Sequence, residues 1–212
     1  MLKLKKLILV PHGVCEPGRN TLSDLGALQM SVLARVIEPM IRGLSATICA
    51  SSSPKATQSY RLLAQMLGVN VGDVEKYVSF LPEWEDSVLN EHMYGIMAII
   101  DDKGQDFESV ILVGHFEYLG GFPSFFVKKK CDKNLDHKYK VIMPGQALFI
   151  DCVKMASAKD MNDACKVIGA IWRLALGEDV CSNLAEYGPV NHHETQDDNP
   201  GSILTDPGSV KK

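Results

Sequence analysis

Two apolar runs in this chain end in histidine: "LILVPHG" delivers Pro11, His12 and Gly13, and "VILVGH" delivers Gly114 and His115. Imidazole is the side chain whose charge changes nearest neutral pH, which suits it to proton transfer and to nucleophilic attack. A single histidine at a strand end is usually a structural hydrogen-bonding residue. Two at equivalent ends can face one pocket, because ligands of open α/β sheets bind beyond the carboxyl ends of the strands.

The elements that must position these residues are readable from the apolar pattern. Residues 6 to 11 form a first strand, and "TLSDLGALQMSVLARVIEPMIRG" places Leu25, Leu28, Val32, Leu33, Val36, Ile37 and Met40 on one helix face, with Thr21 or Ser23 as cap. "ATICAS" is a second strand. Ser51 to Ser53 and Pro54 then open a helix reaching about Leu67, since proline fits a first helical turn. "EKYVSF" is a third short strand, followed by a helix near Asp86 to Ile100. "SVILVGH" is a central strand, "GQALFIDCV" another, and a last helix covers about Ala158 to Leu176. Strands interleaved with helices of this length predict an α/β fold, a three-layer sandwich whose mostly parallel central sheet carries helices on both faces. Gly120 and Gly121 fit close helix packing.

The chain has 212 residues, 46% hydrophobic and 23% charged, the composition of an ordinary globular protein with a substantial core. One domain is expected over 1–178, followed by a flexible C-terminal tail over 179–212, where Gly, Pro, Asn, Asp and Ser dominate without period. The net charge of -4 excludes a general nucleic-acid binder. The apolar run Leu7 to Val10 is too short for a signal-peptide core, and no stretch is long enough to span a bilayer. A cytoplasmic protein is expected. Its six cysteines show no metal spacing and read as reduced thiols, with Cys49 and Cys152 as small core residues. His192 and His193, adjacent in the tail, have no zinc-ligand spacing and are a weak signal, so no metal site is assigned.

In order and spacing, "LILVPHG", "LSDLGALQ", "ASSSPKATQS", "LPE" and "VILVGH" resemble the histidine phosphatase superfamily, also called phosphoglycerate-mutase-like, and particularly its short phosphohistidine-phosphatase branch. The resemblance covers about residues 5 to 155. It implies that His12 is the nucleophile that takes the phosphoryl group and that His115 is the second histidine, stabilising charge in its protonated form. It further implies a phosphate cradle near Gly13 and the Ser-rich turn, and a proton donor at Glu83 in "LPE". Glu85 and Asp86 lie beside Glu83, and Glu16 is the alternative donor. No cofactor and no metal are implied, because protein cations do the work that metal ions do in other phosphatases. Long cap insertions are missing, which favours an open site.

Two departures stand inside the matched motifs. Pro11 occupies the place of the first family arginine and Lys55, in "PKATQS", the place of the second. A guanidinium fork grips two phosphate oxygens, lysine is a point charge, and proline offers neither charge nor N–H. Losing such a group costs about 10³- to 10⁵-fold in phosphoryl transfer. Arg19, in the loop after His12, is the guanidinium available to enter the gap. Two readings therefore follow: weak or lost hydrolysis of a phosphohistidine protein or a phosphorylated small molecule through phospho-His12, or a pseudophosphatase that binds a phosphorylated or anionic partner.

Other phosphate chemistries fail on spacing. Cys15 to Arg19 leaves three intervening residues where a cysteine phosphatase loop needs five, and the chain contains neither a GxxxxGK[ST] loop nor a GxGxxG after a strand. The lysines of "KKKCDKNLDHKYK" read as a solvated loop.

Overall fold

The computed structural model describes residues 3–71, 86–135 and 142–169. Its elements in chain order are β1 (Lys6–Pro11), α1 (Asp24–Ile41), β2 (Ala46–Ala50), α2 (Pro54–Leu67), β3 (Asn70–Val71), α3 (Asp86–Asp106), β4 (Ser109–Gly114), α4 (Phe116–Cys131), β5 (Ala147–Asp151), α5 (Cys152–Ser157), a 3₁₀ turn (Met161–Asp163) and β6 (Cys165–Ile168). The strands form one sheet in the order β3, β2, β4, β1, β5, β6. The first four are mutually parallel; on the β1 side β5 pairs antiparallel with β1, and β6 antiparallel with β5.

Alternation along the strands divides the core into two layers. Ile8 and Val10 of β1 and Ile111 and Val113 of β4 pack with Met30, Leu33 and Ile37 of α1 and with Tyr60 and Leu63 of α2. Leu7, Leu9, Val110 and Leu112 point the other way, toward Ile96 and Ile100 of α3, Phe122 and Phe126 of α4 and Met155 of α5. This is the expected three-layer sandwich, mostly parallel and covered on both faces.

Several expectations change. The helix expected over about Ala158 to Leu176 is not formed in its described part: a 3₁₀ turn leads into β6, which pairs with β5 from Ala147↔Ile168 to Ile150↔Cys165. The short run Cys165–Ile168 ends in the β-branched pair Val167 and Ile168, and an antiparallel neighbour decides between strand and helix where periodicity cannot. "GQALFIDCV" is not one strand, because Asp151 accepts the Lys154 N–H at 3.1 Å and caps α5, so that Cys152 opens a helix. On α1 the buried stripe is Gly26, Gln29, Met30, Leu33, Ala34, Ile37 and Ile41, with Leu28 exposed. The expected face is thus rotated, because small and polar residues occupy the contact with the loop after β1. Lys128, Lys129 and Lys130 belong to the last turn of α4 and not to a loop. Gly121 lies where a Cβ would meet Met93 of α3 at 2.9 Å, in keeping with close helix packing there. The strand at "EKYVSF", the end of the last helix and the tail boundary at 178/179 lie outside the described residues.

Among the described residues, no helix is long and apolar enough to cross a membrane, and five cysteines are free thiols. Burial holds the thiols of Cys49 and Cys165 up at about 11 and that of Cys152 at about 12, so they are inert as nucleophiles.

Candidate active site

The sheet register builds the site. Pro11 pairs with Gly114, so the next residue of each strand, His12 and His115, leaves the sheet at the same level and with the same parity. Their ring centroids are 5.1 Å apart with an interplanar angle of 76°. Each is only 7% exposed. Proline fits before His12 for a ladder reason. The His12 N–H donates to the Gly114 carbonyl at 2.8 Å, on the β4 side. Position 11 therefore faces β5, whose pairing with β1 ends at Leu9↔Leu148, and a missing N–H there breaks no ladder bond.

Side chains from α1 and α2 hold the loop after His12. Gly13 N–H donates to Ser59 Oγ at 3.1 Å, and Ser59 Oγ donates to the Lys55 carbonyl at 2.9 Å. Val14 N–H donates to Gln29 Oε1 at 3.0 Å. Ser23 Oγ donates to the Val14 carbonyl at 2.9 Å while capping α1 by accepting the Gly26 N–H at 3.1 Å. Farther along, Leu22 N–H donates to Gln58 Oε1 at 2.7 Å. Two glycines make the contact possible: a Cβ at Gly26 would meet the Val14 carbonyl oxygen at 2.1 Å, and one at Gly13 the Gly26 carbonyl oxygen at 2.6 Å.

His12 Nδ1 lies 2.8 Å from the Gly13 carbonyl oxygen. A carbonyl only accepts, so Nδ1 carries the proton and Nε2 keeps its lone pair. Burial, with Lys55 adding to it, lowers the His12 pKa to about 4 even though the Gly13 bond opposes the shift. Burial, His12 and Lys55 lower that of His115 to about 4 as well. Both rings are neutral at neutral pH. The protonated form expected for His115 is therefore not its resting form in this pocket; a phosphate dianion beside it would act in the opposite direction and favour imidazolium.

Lys55 is the second residue of α2, behind Pro54, and Ser53 caps that helix by accepting the Ala56 N–H at 3.3 Å. The first turns of α2 and α4 both begin at this rim, and His115 is the N-cap residue of α4, without a side-chain cap bond. Helix N-termini favour anions. Arg19 does not enter the gap left by Pro11: it is 73% exposed and paired with Glu16 Oε2 at 3.0 Å. That pair also occupies Glu16, the alternative proton donor. Glu83 and Glu85 lie outside the described residues, as does the side chain of Asp86. The lysines at the end of α4 sit about 20 Å along the helix axis from His115, and they do not join the site. Among the described residues, no cluster suited to a metal ion is present.

The structure thus joins His12, Gly13, Lys55 and His115 and leaves Arg19 outside. It adds Ser59, Gln29 and Ser23, which the sequence reading did not single out as site residues. The available signal was a polar residue at a helical position otherwise reserved for core, as with Gln29 between Leu25 and Leu33.

No protein-family model matches the chain, and no curated protein does. Solved structures with a similar chain course include a mycobacterial glucosyl-3-phosphoglycerate phosphatase, at 13% identity and TM-score 0.49 over 79% of this chain and 98% of that one. A chain from Agrobacterium tumefaciens described as a phosphohistidine phosphatase, SixA, aligns at 12% identity and TM-score 0.46, over 77% of this chain and 95% of that one. The protein histidine phosphatase SixA in complex with tungstate aligns at 11% identity and TM-score 0.47, over 77% and 94%.

Proposed function

We propose that this chain is a histidine phosphatase superfamily protein whose pocket at the ends of β1 and β4 receives a phosphoryl group, and whose hydrolysis through phospho-His12 is weak or lost. The observation that carries this reading is the buried histidine pair, ring to ring at 5.1 Å, with the His12 proton fixed on Nδ1 and Nε2 left as the nucleophile. In turnover, the Nε2 lone pair forms the N–P bond as the bond to the leaving group breaks, and the leaving group departs with that electron pair and takes up a proton. Water then attacks phosphorus, the N–P bond breaks, and inorganic phosphate and neutral His12 are released. Lys55 and the first turns of α2 and α4 supply positive potential for the equatorial oxygens.

The expected ligand is a phosphohistidine protein or a phosphorylated small molecule. Loss of turnover is favoured by one observation: Arg19, the guanidinium nearest in sequence to the vacated position, is ion-paired in solvent. Binding without turnover is then the pocket's remaining use.

The deciding experiment measures phosphate release from a phosphohistidine protein and from an aryl phosphate, for the native chain, Pro11→Arg and Pro11→Arg/Lys55→Arg. Turnover only in the arginine variants supports a phosphatase-derived binding protein. Native turnover at a rate the arginine variants do not exceed would refute the proposed loss. Any activity present should vanish in His12→Ala, and its survival would exclude the phosphoenzyme.

A further inference from the structure

We infer that Gln29 is a positioning residue that fixes the tautomer of His12. This rests on the reading of His12 as the phosphoryl acceptor. The peptide unit joining Gly13 to Val14 has two polar ends. Its carbonyl oxygen, on Gly13, accepts the His12 Nδ1 proton at 2.8 Å; its N–H, on Val14, donates to Gln29 Oε1 at 3.0 Å. One amide plane therefore connects α1 to the imidazole ring. A planar amide rotates as a unit, so the side chain that pins its N–H also aims its carbonyl.

Gln29 is suited to that task. It is wholly buried on α1, where glutamine is a costly residue unless its polar atoms do something. Among the described residues its Nε2 has no hydrogen-bond partner, so the bond this amide makes is the one its oxygen accepts. Leucine or methionine would fill the same volume without an unsatisfied donor. The neighbouring clamps act on other planes: Ser59 holds the unit joining His12 to Gly13, and Ser23 the carbonyl of the unit joining Val14 to Cys15. Among the described residues, Gln29 alone holds the N–H end of the plane that meets the ring; at its carbonyl end the Cys15 thiol also donates to Gly13, at the longer distance of 3.7 Å.

The chemical consequence is direct. If the plane turned, the proton of a neutral imidazole would be free to move to Nε2, and the nitrogen aimed at phosphorus would lose its lone pair.

The test reads the tautomer without any substrate, so it stands or falls separately from phosphatase activity. In ¹⁵N-labelled protein at pH 7.5, His12 of the native chain should show protonated Nδ1 and bare Nε2. Gln29→Met, nearly isosteric but without an acceptor, should shift the tautomer ratio about tenfold toward Nε2–H, the worth of one hydrogen bond. Gln29→Glu, which keeps an acceptor oxygen in place, should restore the native signature, and Ser59→Ala should retain it. A folded Gln29→Met that keeps the native ratio overturns the inference, as does an equal shift in Ser59→Ala, which would assign the effect to the loop as a whole. If Gln29→Met does not fold, a through-hydrogen-bond coupling between Val14 ¹⁵N and the Gln29 side-chain carbonyl carbon in the native protein decides the matter, its absence refuting the assignment.

Discussion

At the end of β1, the backbone after His12 is held peptide by peptide by Ser59, Gln29 and Ser23, with two glycines letting α1 lie directly against it. At the end of β4, the chain passes from Gly114 through His115 straight into α4, whose first turn has no side-chain cap from its N-cap residue. One rim position is determined by internal partners; the other keeps backbone donors for what enters the pocket. Under the proposed function, a site that aims one imidazole and receives an anion needs both, and the division between a held imidazole and an open helix start would supply them.

The comparison breaks most visibly at Gly26. Alanine for glycine inside a helix ordinarily gains about 0.5–1 kcal/mol. At Gly26 the new Cβ would meet the Val14 carbonyl oxygen at 2.1 Å, so Gly26→Ala should instead lose about 2–3 kcal/mol, read as a lower urea midpoint. A neutral or stabilising result would mean that the β1 loop is not fixed by this contact.

A smaller effect is expected from pH. Both histidines fold with pKa values lowered from 6.5 to about 4, so between those values the unfolded chain binds more protons. Their contribution is fully present above about pH 6.5 and declines as pH falls toward 4. The urea midpoint should drop over that window, and His115→Asn should flatten the drop. An unchanged pH profile in that variant would mean that the two ends do not share one buried pocket.

Phosphate sharpens the contrast further. Inorganic phosphate should shift the amide resonances of residues 116–118 more than those of 13 and 14, whose donors already have internal partners. Lys55→Met should weaken this binding about tenfold, as loss of a charged hydrogen-bonding group does. Larger shifts at 13 and 14 would invert the assignment of rigid and receptive ends. The smallest effect belongs to Gly114→Ala: a Cβ there meets only Leu119 side-chain atoms at 3.9 Å, so stability should stay within about 0.5 kcal/mol.

The sequence made the strands and the histidine pair legible because "LILV" and "VILV" are continuous apolar runs, and such runs in an α/β pattern become central parallel strands. What it concealed depends on contacts distant in the chain. The face of α1 is set by Gly26 and Gln29, residues that hydropathy does not count as core, meeting a loop some 12 to 15 residues away. Cys165–Ile168 is a strand because β5 lies beside it, a fact no window of residues contains. Pro11 read as damage to a phosphate cradle; its tolerance as backbone became visible only with the point at which the β5 ladder stops.

The strand order also has a consequence for biogenesis. Both neighbours of β1, β4 and β5, are more than 95 residues downstream of it, so the apolar segment Lys6–Pro11 waits for a sheet partner until at least residue 109 has left the ribosome. Throughout that interval the histidine pair does not exist as a pair. Nascent chains stalled before Ser109 should therefore expose β1 to chaperones or aggregation, and only chains that extend past His115 can bring residues 12 and 115 together.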